Sequence, residues 1–182
     1  SALASDIIWN SINNVKKPVY VSVGNVAASG GYYISTAAKK IFADKNSITG
    51  SIGVVSLIPN FKELTDKIGV NMNDISYGKY ADLYSLTSPM TPDRQEKMYS
   101  SNLKVYNEFL SKVANGRNLP LEEVEKIAQG KIWLGQEAIN IGLIDSIGGI
   151  NKTIKTLASD LEVSDNYSVV EISYEEDLKS MF

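Results

Sequence analysis

The chain has 182 residues, 43% of them apolar and 21% charged, with a net charge of -3. That length and balance suit one compact soluble domain with a sizeable core, and the scattered lysines form no basic stripe of the kind that binds nucleic acid. There is no cysteine and no histidine, which excludes a thiol nucleophile, a disulfide framework, a cysteine-ligated metal and a Ser-His-Asp triad drawn from this chain alone.

The elements follow in order. Leu3, Ile7, Ile8, Ile12 and Val15 recur at helical spacing, which predicts an amphipathic helix over 3–17. "VYVSVG" (19–24) alternates and is β-branched, so it reads as a strand. The turn "AASGG" leads into a helix over "YYISTAAKK" and a short strand "IFAD". A further strand is expected over 47–57, "SITGSIGVVSL", then a helix "FKELTDKIG" and an extended "VNMNDIS". Residues 77–92 carry turn chemistry without a period and read as a loop. Thr91 and Pro92 are the N-cap and first position of the longest helix, 92–115. Helices over "LPLEEVEKIAQG", closed by Gly130, over "WLGQEAIN" and over "NKTIKTLASDLE" follow, and "YSVVEISY" (167–174) is expected as a last strand. Strands alternating with helices imply α/β layering in a single domain over 1–182. No apolar run reaches the roughly 18 residues that span a bilayer.

The chemistry concentrates at "NVAASGGYYIS", residues 25–35. A serine between a strand and a helix, followed by glycines, is well placed as a nucleophile. Free N–H groups at a helix start favour developing negative charge, and the Gly30 N–H is unshielded by a side chain. The same pattern also fits Ser29 as an ordinary helix cap beside glycines that allow close packing. Without histidine, activation would need a lysine of lowered pKa, and no lysine near this stretch stands out; Lys39, Lys40 and Lys79 read as solvated charges.

"NVAASGGYYIS" together with "ITGSIGVV" resembles the signal peptide peptidase A family, the serine–lysine peptidases of the ClpP/crotonase-like superfamily. The similarity runs on through "GKYADLYS", "SPMTPDRQ" and "IAQGKIWLGQEAINIGLIDSIGG". It implies a ClpP/crotonase-like α/β fold of repeated ββα units with helices packed around the sheets. It implies Ser29 as nucleophile, Gly30 as an oxyanion N–H donor and Ser51 as the hydroxyl that orients the lysine. The run Ile52, Gly53, Val54 and Val55 would bind an extended substrate by strand addition. No metal or cofactor is implied. The implied partners are apolar, extended signal peptides and further copies of the chain. The implied location is the bacterial cytoplasmic membrane, with the catalytic domain on the extracytoplasmic side and any anchor outside this chain.

Two parts of the family pattern are missing. The base lysine of single-repeat members falls on Ala81, in "GKYADL", and the glycine turn that supplies a second oxyanion donor would precede Ser1. Ala81 is either an inactivating replacement or natural in the C-terminal repeat of a long-form member, whose lysine lies in the other repeat. "SALASDIIW" and "GKYAD" fit the second better. The resulting expectation is a serine peptidase whose base comes from outside the chain and which is inactive in isolation. The alternative is a peptide-holding module of the same fold. The superfamily's acyl-CoA chemistry fits less well, because Ser29 has no acidic base near it in sequence.

Overall fold

A computed structural model describes residues 1–73, 75–164 and 166–172. The helices are α1 (Ala2–Asn13), α2 (Gly30–Ser35), α3 (Lys62–Lys67), α4 (Pro92–Arg117), α5 (Leu121–Ile127), α6 (Gly135–Ala138) and α7 (Ile150–Asp160). The strands are β1 (Tyr20–Val23), β2 (Val26–Ala28), β3 (Lys40–Ala43), β4 (Ile48–Gly50), β5 (Ile132–Leu134) and β6 (Ser146–Ile147). Among the described residues they form two three-stranded sheets, β1-β3-β6 and β2-β4-β5.

Consecutive strands change sheet. β1 passes through Gly24 and Asn25 into β2, and β3 passes through residues 44–47 into β4, so each pair contributes one strand to each sheet. This is the repeated ββα layout expected from the resemblance. Ser47, almost wholly buried, ties the two crossings together: its Oγ donates to Gly24 O at 2.5 Å and accepts from Asp44 N at 3.1 Å. β1-β3 and β2-β4 are parallel, and β4-β5 is antiparallel.

The core lies between the sheets and α2, α4 and α5. Tyr32, Ile41, Ile52, Leu110, Val113, Val124 and Leu143 are fully or almost fully buried within one cluster. The Tyr32 hydroxyl is satisfied by donating to Leu143 O at 2.7 Å, so a polar atom in the core costs little. α4 crosses the end of α2 at Gly116, where a Cβ would stand 2.2 Å from Thr36 O.

Several expected boundaries shift. The predicted strand 47–57 ends at Gly50, because Gly50 and Ser51 both take positive φ (77° and 50°) and turn the chain out of the sheet. "WL" belongs to β5 and not to a helix: Trp133 pairs with Thr49, whose Oγ1 donates back to Trp133 O at 3.0 Å. α5 stops at Ile127, and Gln129 and Gly130 follow with positive φ. Residues 167–172 form no strand, and 173–174 lie outside the described residues. Thr91 caps α4, accepting from Arg94 N at 3.4 Å, with Pro92 opening the helix.

Candidate active site

The register of the second sheet builds the site. Parallel pairing sets Ala28 beside Gly50, so the residues that follow, Ser29 and Ser51, leave neighbouring strand ends on the same edge. Parallel neighbours are about 4.8 Å apart, and the Ser29 N–H donates to Gly50 O at 2.8 Å. Twenty-two positions of sequence separation are thereby closed by one register pair.

Both serines are strained. Ser29 has φ 51° and ψ -119°, and Ser51 has φ 50°. A non-glycine residue in such a region costs on the order of 1–3 kcal/mol and persists only where its surroundings hold it. The restraints are visible: Gly50 O on Ser29 N, Ser29 O accepting from Tyr33 N at 2.8 Å, and Lys131 O accepting from Ser51 N at 2.7 Å. Ser29 stands at the N-cap of α2, yet its side chain makes no capping hydrogen bond. Its hydroxyl is exposed to the cleft, so the capping alternative fails on geometry.

The cleft has a volume of about 900 Å³. Ser29, Gly30, Ser51, Gly53, Val54 and Val55 all line it. Ile52 does not. Its side chain is fully buried in the core and its carbonyl accepts from Gly130 N at 2.9 Å, so its expected role in binding substrate is corrected to one in packing. The alternation of a strand does not survive the turn at Gly50–Ser51, and Ile52 points inward beside Gly53, which closely approaches Gly130. Val55 is almost wholly exposed.

The opposite wall was missed in the sequence. Tyr99, Leu103 and Tyr106 of α4 line the cleft at helical spacing, with Asn102 accepting from Ser56 Oγ at 2.9 Å and so tying the two walls together. In the sequence Tyr106 and Phe109 fall three apart on one helix, a spacing that does not separate core from cleft. Tyr99 is exposed, which only the structure shows.

Among the described residues, those lining the cleft include no lysine, aspartate or glutamate. Ala81 is exposed in a turn, its N–H bonded to Gly78 O at 3.2 Å, and it is not part of the cleft. Lys79 pairs with Asp93 at 3.4 Å. Hydrogen bonding to Tyr80, then to Asp93, raises its pKa above the ordinary lysine value, the wrong direction for a neutral base. Tyr33, on the cleft side, is held protonated: burial first, then its hydrogen bond to Asp6 Oδ1 at 2.9 Å, push its pKa upward. A smaller recess of about 350 Å³ holds Lys17 and Lys39 but no serine.

The ββα architecture, with a strained serine at a strand–helix turn, defines the class: an α/β protein with a ClpP-like fold. The fold is shared with a ClpP1 mutant from Listeria monocytogenes, with a TM-score of 0.55 and 16% identity over 85% of this chain and 71% of that one. The profile of Peptidase family S49 matches residues 11–164, and the chain belongs to that family. It is 42% identical over 84% of its length to "Serine protease SPPA, chloroplastic" of Arabidopsis thaliana, and 42% identical over 85% to "Protease 4" of Haemophilus influenzae. It is 33% identical over 85% to "Putative signal peptide peptidase SppA" of Enterococcus faecium. It spans 23% and 25% of the first two proteins and 45% of the third.

Proposed function

We propose that this chain is the serine-bearing domain of a peptidase that hydrolyses remnant signal peptides at the bacterial cytoplasmic membrane, on its extracytoplasmic side. The observation that carries the reading is Ser29: a strained, uncapped hydroxyl opening into a largely apolar cleft. In acylation, Ser29 Oγ bonds to the peptide carbonyl carbon and its proton passes through a neutral lysine amine to the leaving amine as the C–N bond breaks. Water activated by the same amine then hydrolyses the ester. The Gly30 N–H, in the first turn of α2 where N–H groups lack intrahelical acceptors, stabilises the oxyanion. Ser51 orients the amine.

The lysine comes from outside this chain. Supporting that reading are Ala81 at the family's lysine position, a cleft with no lysine among the described residues that line it, and 42% identity to proteins of which the chain spans about a quarter. Extended peptide fits beside Gly53–Val55, where Val54 and Val55 make no backbone hydrogen bond among the described residues. Exposed Leu57, Phe61, Leu64 and Ile68 support association with further copies. No described helix is long and apolar enough to cross a membrane.

The test is turnover of a fluorogenic, leader-like peptide by the full-length protein, beside Ser29→Ala. Cutting that vanishes with Ser29→Ala is expected. A second reading, a module that holds peptides without cutting them, is favoured by the lack of a lysine among the described cleft residues; peptide binding without turnover in the full-length protein would establish it in place of the first.

A further inference from the structure

Besides Ser29 and Ser51, two further serines, Ser1 and Ser5, line the cleft. Ser5, in the first turns of α1, is 6% exposed and lines the cleft with Ser29, Gly30 and Ser51. Its backbone N–H is satisfied by Ser1 O at 3.0 Å, but its hydroxyl makes no hydrogen bond among the described residues. Four other helical serines of this chain behave differently. Ser11, Ser35, Ser101 and Ser111 each donate to the carbonyl four residues earlier, at 2.8–2.9 Å, the usual resting place of a helical hydroxyl. The Ser5 hydroxyl is not sealed in the core but opens onto the cleft, where it faces the candidate active site.

Its position is tightly set. Ser5 Oγ lies 2.5 Å from the point where a Cβ on Gly30 would stand, so it rests against the Gly30 backbone. The next residue, Asp6, is anchored on both sides: it accepts from the Tyr33 hydroxyl at 2.9 Å and pairs with Lys112 at 3.5 Å. Lys112 in turn lies 3.3 Å from the centre of the Trp9 ring, one further turn along α1. α1 is thus fastened to α2 and α4, and Ser5 cannot drift from Gly30 without breaking that chain of contacts.

We propose that Ser5 is a catalytic residue: its hydroxyl donates a hydrogen bond to the substrate carbonyl oxygen as that oxygen becomes an oxyanion beside the Gly30 N–H. The inference rests on the peptidase reading above. It explains why residue 30 has no side chain, since a methyl group there would displace the hydroxyl. The hydroxyl has no protein partner among the described residues to compete for it, so it is free to turn toward a charge that exists only during reaction.

The experiment is steady-state turnover of the leader-like peptide by full-length protein carrying Ser5→Ala, with thermal unfolding of the same samples. The alanine removes one hydroxyl that has no partner, so the Tm is expected to hold. The expected result is a fall in kcat of roughly 10- to 100-fold with KM unchanged, the signature of a contact made only in the transition state. Unchanged kcat overturns the proposal and leaves Ser5 as packing. A raised KM with unchanged kcat overturns it in favour of a ground-state contact, and a kcat loss accompanied by a lower Tm overturns it in favour of a structural role. Absence of Ser29-dependent turnover in the unsubstituted protein overturns the peptidase reading itself, and this inference with it.

Discussion

Gly116→Ala sets local propensity against tertiary packing. Gly116 lies near the end of α4, where alanine is favoured over glycine by up to about 1 kcal/mol. The structure predicts the opposite sign. A Cβ at 116 would stand 2.2 Å from Thr36 O, 3.0 Å from Thr36 Cβ and 3.1 Å from Thr36 C. The nearest of these is a backbone atom at the end of α2, so no side-chain rotation relieves the overlap, and α4 must move off α2. Overpacking of this kind costs about 1–3 kcal/mol, and a backbone clash belongs at the upper end. Subtracting the propensity gain leaves a net loss of roughly 2 kcal/mol, which at this chain length lowers Tm by about 4–8 °C. Because α4 carries Tyr99, Leu103 and Tyr106, the same shift should widen the cleft and raise KM for peptide. Thermal unfolding of the variant decides the matter: a Tm equal to or above that of the unsubstituted protein would refute the packing argument.

Other outcomes can be checked alongside it. Lys79→Ala should leave turnover of the full-length protein unchanged, because the amine is engaged by Tyr80 and Asp93 with its pKa raised; a large loss would make Lys79 the base. Asp160 accepts from Lys40 at 2.5 Å and from the Tyr20 hydroxyl, and hydrogen bonding to Lys40, then Tyr20, lowers its pKa. Its contribution is present above the ordinary carboxylate value of about 3.9 and is lost as pH falls through the lower folded value. The Tm gap between the unsubstituted protein and Asp160→Asn should therefore close between pH 7 and pH 2; a gap that persists at pH 2 would count against the linkage. Arg94 is buried, donates to Pro89 O at 2.6 Å and to Asp82 O, and so holds the loop beside Ala81. Arg94→Lys loses that fork, and limited proteolysis should then cut within 79–91 faster than in the unsubstituted protein.

The sequence by itself determined the helices with strong periodicity or clear caps. Thr91–Pro92 opens α4 because a hydroxyl and a proline act locally, whatever surrounds them. It also determined the family, since "AASGG" and "TGSIGV" keep their residue types and spacing. The weakest local signals failed. β5 has three residues and β6 has two, and such strands exist only because a partner pairs with them. The run 51–55 looked like one strand face, but two successive positive φ values turned Ile52 into the core and left Gly53–Val55 on the cleft. Tertiary structure alone removed the capping reading of Ser29, because the distinction is a backbone angle set beside the Ala28–Gly50 register. It alone brought Ser5 to Gly30, since no spacing in the chain records that α1 and α2 meet there. Local chemistry is written in neighbouring residues, whereas a site assembled from two strand ends and two helices depends on distances that only the packed fold sets.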